Sequence, residues 1–185
     1  MSTGLEIAVS LHDVAWLEAC ADLEAQAEAA VIAVLRHLKL AGESLEISLV
    51  FTDDAEQRSL NRDYRMKDRP TNVLSFPSMD DGMNDRGSAA AGQPRLLGDV
   101  VLARETIARE ARAQGKSMAA HTTHLLVHGT LHLLGYDHQE PAEASEMEAL
   151  ETAILAGLGI ADPYACEAEG SAAVPPRANH GATHG

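Results

Sequence analysis

Three histidines in the segment HGTLHLLGYDH constrain the fold of this chain more than any other feature of its sequence. His128 and His132 are separated by three residues, and Gly135 stands between His132 and His138. On a helix, residues four positions apart lie on one face, so His128 and His132 can point at a common atom. A glycine can take the left-handed conformation that ends a helix. The pattern therefore predicts a helix that ends near Gly135, followed by a turn that returns His138 to the other two imidazoles.

Three converging imidazoles are typical of a metal site. They are good zinc ligands in their neutral form, and three of them leave a fourth position for water or substrate, as in catalytic zinc sites. Structural zinc sites usually recruit cysteines and a fourth protein ligand. Three buried histidines without any metal are the other interpretation. We predict one zinc ion per chain, bound by His128, His132 and His138, although nickel, copper or iron would accept the same ligands.

Metzincin proteases share this spacing but carry an additional catalytic group. In their motif, H-E-x-x-H-x-x-G-x-x-H, a glutamate follows the first histidine and acts as the general base. Here the corresponding residue is Gly129, which can neither take up nor release a proton. The sequence therefore favours a metal-dependent hydrolase of another kind over a protease.

The histidine helix is predicted to be buried, with its polar groups in one stripe. His121 and His124 fall on the same side as His128 and His132 at about 100° per residue, and leucine and valine occupy much of the remaining circumference. A helix that is apolar on most sides is buried. His121 and His124 are therefore interpreted as core histidines with satisfied hydrogen bonds, or as residues that line the cleft.

The pattern of apolar residues predicts a single α+β domain at residues 1–164. We expect a roughly four-stranded mixed sheet packed against helices, with the histidine helix buried on it. Residues 165–185 are too small and polar to bury a core and are predicted to be a disordered tail. The expected strands are 5–10, 45–51, 73–76 and 97–103, and the expected helices are about 13–40, 53–63 and 105–114, the histidine helix capped by Ser117, and a final helix that begins at Pro141. Residues 78–95 are predicted to form a surface loop.

Composition bounds the cellular context. The chain has 185 residues, only two cysteines, and no apolar run of the roughly 18 residues that a membrane span needs. Its first residues lack the basic and apolar pattern of a secretory signal. We therefore predict a cytoplasmic protein with no membrane partner.

The basic residues are concentrated in one segment of an acidic chain. The formal net charge of -14 argues against nonspecific affinity for nucleic acid. A local basic patch could still dock on a particular phosphate-rich target, or it could be a solvated helix face. Tyr64 and Phe76, near this patch, offer flat faces on which a base could stack. Five of the 14 basic side chains lie within 12 residues: Arg58, Arg62, Arg65, Lys67 and Arg69.

Three further segments accompany the histidine block, namely Asn61-x2-Tyr64-Arg65, RPTNVLSFP at 69–77 and Leu97-Gly98-Asp99. Together with it they resemble the YbeY family of bacterial endoribonucleases. The resemblance covers roughly residues 5–160. It implies a zinc-bound α+β domain that cleaves single-stranded RNA, processes the 16S rRNA 3′ end, and acts in ribosome maturation and quality control.

The resemblance also implies site residues and partners. The family's metal-ligand motif falls on His128, His132 and His138, and its arginine important for activity falls on Arg65. We therefore predict Arg65 and His128 as catalytic residues. Arg65, Arg69 and Tyr64 are predicted to bind the substrate. The implied partners are the 16S rRNA precursor, the small ribosomal subunit and an Era-type GTPase.

The sequence leaves parts of the mechanism open. Zinc could activate a water or polarise a phosphoryl oxygen, and Arg65 could neutralise charge on the phosphate. The attacking oxygen could instead be the 2′-hydroxyl of the RNA. Asp137, Glu140 and Asp99 are candidate bases, but each could equally cap a helix or support a metal ligand. Two other functions fit the pattern: a non-catalytic ribosome-assembly factor with a structural zinc, and a metzincin-like hydrolase of another substrate.

Overall fold

The computed structural model describes residues 4–79 and 93–165 of the chain. Most of the predicted loop at 78–95, and all of the predicted tail except its first residue, lie outside the described residues. Among the described helices, none is long and apolar enough to cross a membrane.

The described residues form an α+β fold with a mixed four-stranded sheet and six helices, as the sequence predicted. Each expected strand differs from the observed one at a single end: the first three extend one residue further at the C-terminal end, and the fourth begins two residues earlier. The elements, in chain order, are β1 (Leu5–Leu11), α1 (Trp16–Ala19), α2 (Leu23–His37), β2 (Leu45–Thr52), α3 (Asp54–Arg65), β3 (Val73–Pro77), β4 (Arg95–Ala103), α4 (Arg104–Ala113), α5 (Met118–Leu133) and α6 (Pro141–Gly157).

The sheet has the strand order β1-β2-β4-β3. Strands β1, β2 and β4 run parallel, and β3 pairs antiparallel with β4 at one edge. Helix α5 packs against β3, β4 and α2. The histidine helix therefore lies on the sheet beside the edge strand that follows the basic segment.

One face of the sheet carries most of the core. In β2, Leu45, Ile47, Leu49 and Phe51 are fully buried, whereas the residues between them are partly exposed. This alternation is expected of a sheet that is covered by helices on one face only, because successive side chains point to opposite faces.

The predicted long helix at about 13–40 is wrong: the structure divides it into α1 and α2. Cys20 ends the first piece in an extended conformation, with φ -140 and ψ 96. Trp16 is fully buried, donates its indole N–H to the backbone oxygen of Thr52 at 2.9 Å, and packs edge-on against Phe51. The short α1 is thus tied to the end of β2, and the chain must turn before α2 can lie on the sheet. Periodicity alone cannot show this, because the tie is a tertiary contact.

A bulge near the start of β4 keeps the strand paired on both sides. The register with β2 skips one residue, Leu97, and Gly98 follows with φ +129. A Cβ at Gly98 would lie 2.1 Å from the backbone oxygen of Phe76. Only glycine fits both the conformation and the space.

Candidate metal centre and its cleft

The end of α5 has the geometry that the sequence predicted. Ser117 caps the start of the helix, and Gly135 follows its end with φ +93. The backbone N–H of Tyr136 donates to Leu131 at 3.1 Å, which closes the last turn as in other glycine-terminated helices. The chain then reverses and carries His138 back toward the helix.

The three predicted metal ligands converge. Their ligand atoms all lie within 4.8 Å of one another, and Nε2 of His128 is 3.0 Å from Nε2 of His132. The ring of His138 lies nearly parallel to that of His128, with the centroids 5.6 Å apart. Two nitrogens bound tetrahedrally to zinc at about 2.05 Å would be about 3.3 Å apart. The distance between the Nε2 atoms of His128 and His132 is close to this value, and the ligand atom of His138 lies within 4.8 Å of the other two.

The protonation of His132 suits metal binding. Burial lowers its pKa, and the neighbouring His128 and His138 lower it further, to about 4. A hydrogen bond with the backbone of Tyr136 acts in the opposite direction but does not outweigh these causes. His132 is therefore neutral at pH 7, and the neutral imidazole is the form that binds metals.

Gly129, the position of the missing glutamate, faces the sheet. A Cβ there would lie 2.7 Å from Cγ1 of Val100 and 3.2 Å from Oγ of Ser75. The hydroxyl of Ser75 donates to the backbone oxygen of Gly129 at 3.3 Å. No glutamate side chain fits between the helix and the sheet at this point. The protease alternative therefore lacks both its base and the space for one.

Arg65 joins the three histidines in one cleft. It is the last residue of α3, and the left-handed Met66 turns the chain away after it. Its guanidinium donates to the backbone oxygen of Ser75 at 3.3 Å. The exposed side chain of Arg65 and the imidazoles of the histidine trio line the same cleft, whose volume is about 610 Å³.

Two of the other predicted substrate contacts lie farther out. Arg69 and Lys67 line a smaller cleft of about 210 Å³, which shares Arg65 and Thr71 with the first. Tyr64 is 72% exposed and packs edge-on against Phe76 at 5.4 Å, but it lines none of the clefts described here. Arg69 therefore lines a cleft that adjoins the histidine cleft at Arg65, whereas Tyr64 lies on the outer surface.

A third cleft meets the first at His128. It has a volume of about 410 Å³ and shares Asn72, Val73 and His128 with the first cleft. Tyr164, which follows α6, lines its far side. The three clefts are connected through shared residues and form a groove along the edge of β3.

His121 and His124 line the cleft, as one of the two interpretations predicted, but they are not fully satisfied core histidines, because the buried Nδ1 atom of each ring has no hydrogen-bond partner among the described residues. His121 is buried and hydrogen-bonds Glu110 at 2.8 Å, and His124 hydrogen-bonds Glu151 at 2.9 Å. Both side chains also line the third cleft. Neither belongs to the cluster whose ligand atoms converge.

Glu151 is a polar residue of the site that sequence reasoning missed. It is fully buried, and its carboxylate hydrogen-bonds His128 Nδ1, His124 Nε2 and the hydroxyl of Tyr164. Burial acts to raise its pKa, but the hydrogen bonds from His124, His128 and Tyr164 outweigh burial and hold the pKa at about 2. The sequence does contain an indication that Glu151 is buried. It is four residues after Met147 and four before Leu155, so it lies on the apolar face of α6.

Of the three candidate bases, only Asp137 lines the cleft. Its Oδ1 accepts a hydrogen bond from the backbone N–H of His138 at 2.7 Å. Glu140 precedes α6, and its backbone N–H donates to Glu143 at 3.4 Å. These contacts give Asp137 and Glu140 structural roles at the two ends of the connection between α5 and α6.

Asp99 does not face the metal centre. Its neighbour Val100 points toward Gly129 on α5, and adjacent side chains of a strand point to opposite faces. Asp99 is accordingly exposed on the face of the sheet away from α5. It is therefore wrong as a candidate base.

Comparison with known proteins agrees with the geometry. Residues 14–159 match the family model described as Endoribonuclease YbeY. A protein named Endoribonuclease YbeY from Paramagnetospirillum magneticum is 52% identical over 164 residues, which cover 89% of this chain and 98% of the relative. One of the same name from Azorhizobium caulinodans is 48% identical over 172 residues, covering 90% and 100%.

A solved structure shares the fold. The solution structure of TM1509 from Thermotoga maritima matches with a TM-score of 0.54 at 20% identity, covering 95% of this chain and 99% of that one. This likeness concerns the fold, whereas the family model and the relatives span the helix, turn and cleft described above. The chain belongs to the endoribonuclease YbeY family.

Proposed function

We propose that this chain is a zinc-dependent endoribonuclease that cleaves single-stranded RNA, processes the 3′ end of 16S rRNA, and acts in ribosome maturation and quality control. The observation that carries the proposal is the placement of Arg65 and three converging imidazoles in one cleft. Its proposed setting is the cytoplasm, and its proposed partners are the small ribosomal subunit and an Era-type GTPase.

The proposed ligands of a single zinc ion are His128, His132 and His138. When bound, zinc supplies Lewis acidity to a phosphoryl oxygen or to a water molecule. The neutral state of His132 and the short distance between the Nε2 atoms of His128 and His132 support this assignment. The trio contains no cysteine, which also favours a site open to substrate over a closed structural one.

Arg65 has the chemistry to stabilise charge on the scissile phosphate. A guanidinium carries five N–H donors in a fixed plane, and the bond to Ser75 occupies one of them. That bond also orients the side chain along the cleft. The remaining donors can bind phosphate oxygens as negative charge accumulates on them.

The residues along the groove support the proposed preference for single strands. Arg69 and Lys67 line the smaller cleft together with Arg65 and could bind a neighbouring phosphate, and Tyr64 offers an exposed ring on the outer surface. Unpaired strands bind through such combinations of basic groups and stacking faces. Because the chain carries a net charge of -14, its affinity for RNA is expected to depend on the ribosome and on partner proteins.

The test is cleavage of a single-stranded RNA that carries the 16S 3′-end precursor, with zinc present. Wild-type protein is compared with His128→Ala and with His37→Ala, a control that removes an exposed histidine at the end of α2. Cleavage by wild type and His37→Ala, but not by His128→Ala, would support the proposal. Equal cleavage by all three would indicate a contaminating nuclease. No cleavage by any would favour a non-catalytic assembly factor or an enzyme that needs a partner.

The ends of the products identify the attacking oxygen. Attack by the 2′-hydroxyl of the RNA leaves a 2′,3′-cyclic phosphate and makes 2′-deoxy substrates resistant. Attack by water can leave a 3′-hydroxyl on the upstream fragment and does not need the 2′-hydroxyl. In the second case Asp137, the one candidate base that lines the cleft, is the residue to replace first.

A further inference from the structure

Glu151 connects the candidate metal centre to the C-terminal part of the domain. Its side chain is 0% exposed, yet it is a carboxylate. One oxygen hydrogen-bonds Nδ1 of His128, and the other hydrogen-bonds Nε2 of His124 at 2.9 Å and the hydroxyl of Tyr164. A buried carboxylate is costly unless its hydrogen bonds are satisfied. Here two histidines of α5 and the hydroxyl of Tyr164 satisfy it.

The contact to His128 has a chemical consequence for the metal centre. Nδ1 is the ring nitrogen of His128 that faces Glu151, so the tautomer that donates a hydrogen bond to this carboxylate oxygen is the one with the proton on Nδ1. The neutral ring then has its lone pair on Nε2. That is the atom that lies 3.0 Å from Nε2 of His132, toward the centre of the trio. The tautomer set by Glu151 is therefore the one that can bind a metal there.

We propose that Glu151 is a positioning residue for metal binding: it fixes the tautomer and the ring orientation of His128. The inference rests on the proposed role of the histidine trio as metal ligands. Carboxylates that hold the second nitrogen of a ligating histidine raise its basicity and fix its orientation. Nothing in the H-x3-H-x5-H pattern itself specifies this group, which comes from another helix.

The position of Glu151 is braced from both sides. Helix α6 begins at Pro141, just after His138, and returns alongside α5 so that Glu151 reaches both His128 and His124. Beyond α6, the ammonium group of Lys116 donates to the backbone oxygen of Pro163 at 3.1 Å, next to Tyr164. The carboxylate therefore cannot easily move away from His128.

Helix α5 also offers a matched control. Glu110 of α4 hydrogen-bonds the buried His121 of α5 at 2.8 Å and forms a second histidine–carboxylate pair at this helix, although its side chain is 33% exposed whereas that of Glu151 is fully buried. His121 is not part of the converging trio. Glu110→Gln therefore removes a comparable charge and hydrogen bond without touching a proposed ligand.

The first experiment measures zinc affinity by competition with a chromogenic chelator. Glu151→Gln, which preserves the volume of the side chain, is expected to bind zinc roughly 10–100-fold more weakly than wild type. Glu110→Gln is expected to bind it as wild type does. Wild-type affinity in Glu151→Gln, or an equal loss in both variants, would overturn the inference. His128→Ala tests the proposed metal site separately from the role of Glu151. If this variant keeps wild-type zinc affinity, the proposed metal site itself is wrong.

The second experiment needs no variant and so does not depend on whether Glu151→Gln folds. Long-range ¹H–¹⁵N correlation spectra of the metal-free wild type report which ring nitrogen of each histidine carries the proton. We expect the Nδ1–H tautomer for His128 at neutral pH. The Nε2–H tautomer would contradict the role assigned to Glu151. In Glu151→Gln, if folded, the population of the Nδ1–H form is expected to fall, which simple loosening of helix packing would not produce.

Discussion

Replacing Gly129 with alanine should destabilise the protein, although alanine is the better helix former. In an open helix interior this substitution gains up to about 1 kcal/mol. Here the new Cβ would lie 2.7 Å from Cγ1 of Val100, which is fully buried and β-branched and so cannot rotate away. Overpacking of this kind costs about 1–3 kcal/mol. Moving the helix outward would also weaken the Ser75–Gly129 hydrogen bond, worth about 1 kcal/mol.

The sum of these effects is a net loss of about 1–3 kcal/mol. For a chain of this size, each kcal/mol lowers Tm by about 2–4 °C. Gly157→Ala is the control, because Gly157 lies at the end of α6, where an added Cβ would meet nothing within 4 Å among the described residues. That variant is expected to be neutral or to gain a few tenths of a kcal/mol up to about 1 kcal/mol.

Urea denaturation of the metal-free protein, followed by circular dichroism, measures both changes without a contribution from zinc. The double variant Gly129→Ala/Val100→Ala tests the cause, because it removes both methyl groups that the new Cβ would meet. Alanine at 129 should therefore cost less in the Val100→Ala background than in wild type. If Gly129→Ala stabilises the protein as Gly157→Ala does, the close contact between α5 and the sheet has been misread.

Three further predictions concern the cleft, the metal and acid stability. Arg65→Ala should lower kcat roughly 10²-fold while leaving zinc affinity unchanged, and a parallel loss of zinc binding would assign Arg65 a structural role instead. Chelation should lower Tm of wild type but not of His128→Ala, as thermal denaturation with and without EDTA will show. A hydrogen bond from Arg104 lowers the pKa of Asp13, so Asp13 contributes stability above its unfolded pKa of about 3.9 that is lost as the pH falls through the lowered value. Asp13→Asn should therefore be less stable than wild type near neutral pH, and urea titrations at decreasing pH should show the difference vanish; a constant difference would refute it.

The sequence pattern predicts correctly those features of the structure that depend on interactions between residues close together in the chain. Ser117 and Gly135 delimit the histidine helix through hydrogen bonds within a few residues, and the spacing of the three histidines follows from the helix and its turn. The four strands were also recoverable, because each is a short apolar or alternating run. These features depend on neighbours in the chain, which is the information that a single sequence carries most directly.

Features that depend on contacts between residues far apart in the sequence could not be predicted from the sequence pattern. The break between α1 and α2 follows from the tie of Trp16 to the end of β2, which periodicity does not encode. Glu151 is one of several acidic residues of α6, and only its spacing from Met147 and Leu155 indicates in the sequence that it is buried. Asp99 was a reasonable base until the register of β4 placed it on the opposite face.

The surroundings of α5 determine what chemistry the histidine spacing can support. On the sheet side, the close contact at Gly129 excludes the glutamate that a protease places there. On the side of α6, Glu151 holds the first histidine of the trio, and on the side of β3 the open cleft contains Arg65. A histidine cage that lacks the glutamate of the proteases but has a guanidinium in the same cleft is suited to a substrate that carries negative charge. A phosphodiester has that charge and a peptide does not, which is why the same three histidines are consistent with RNA cleavage in this fold.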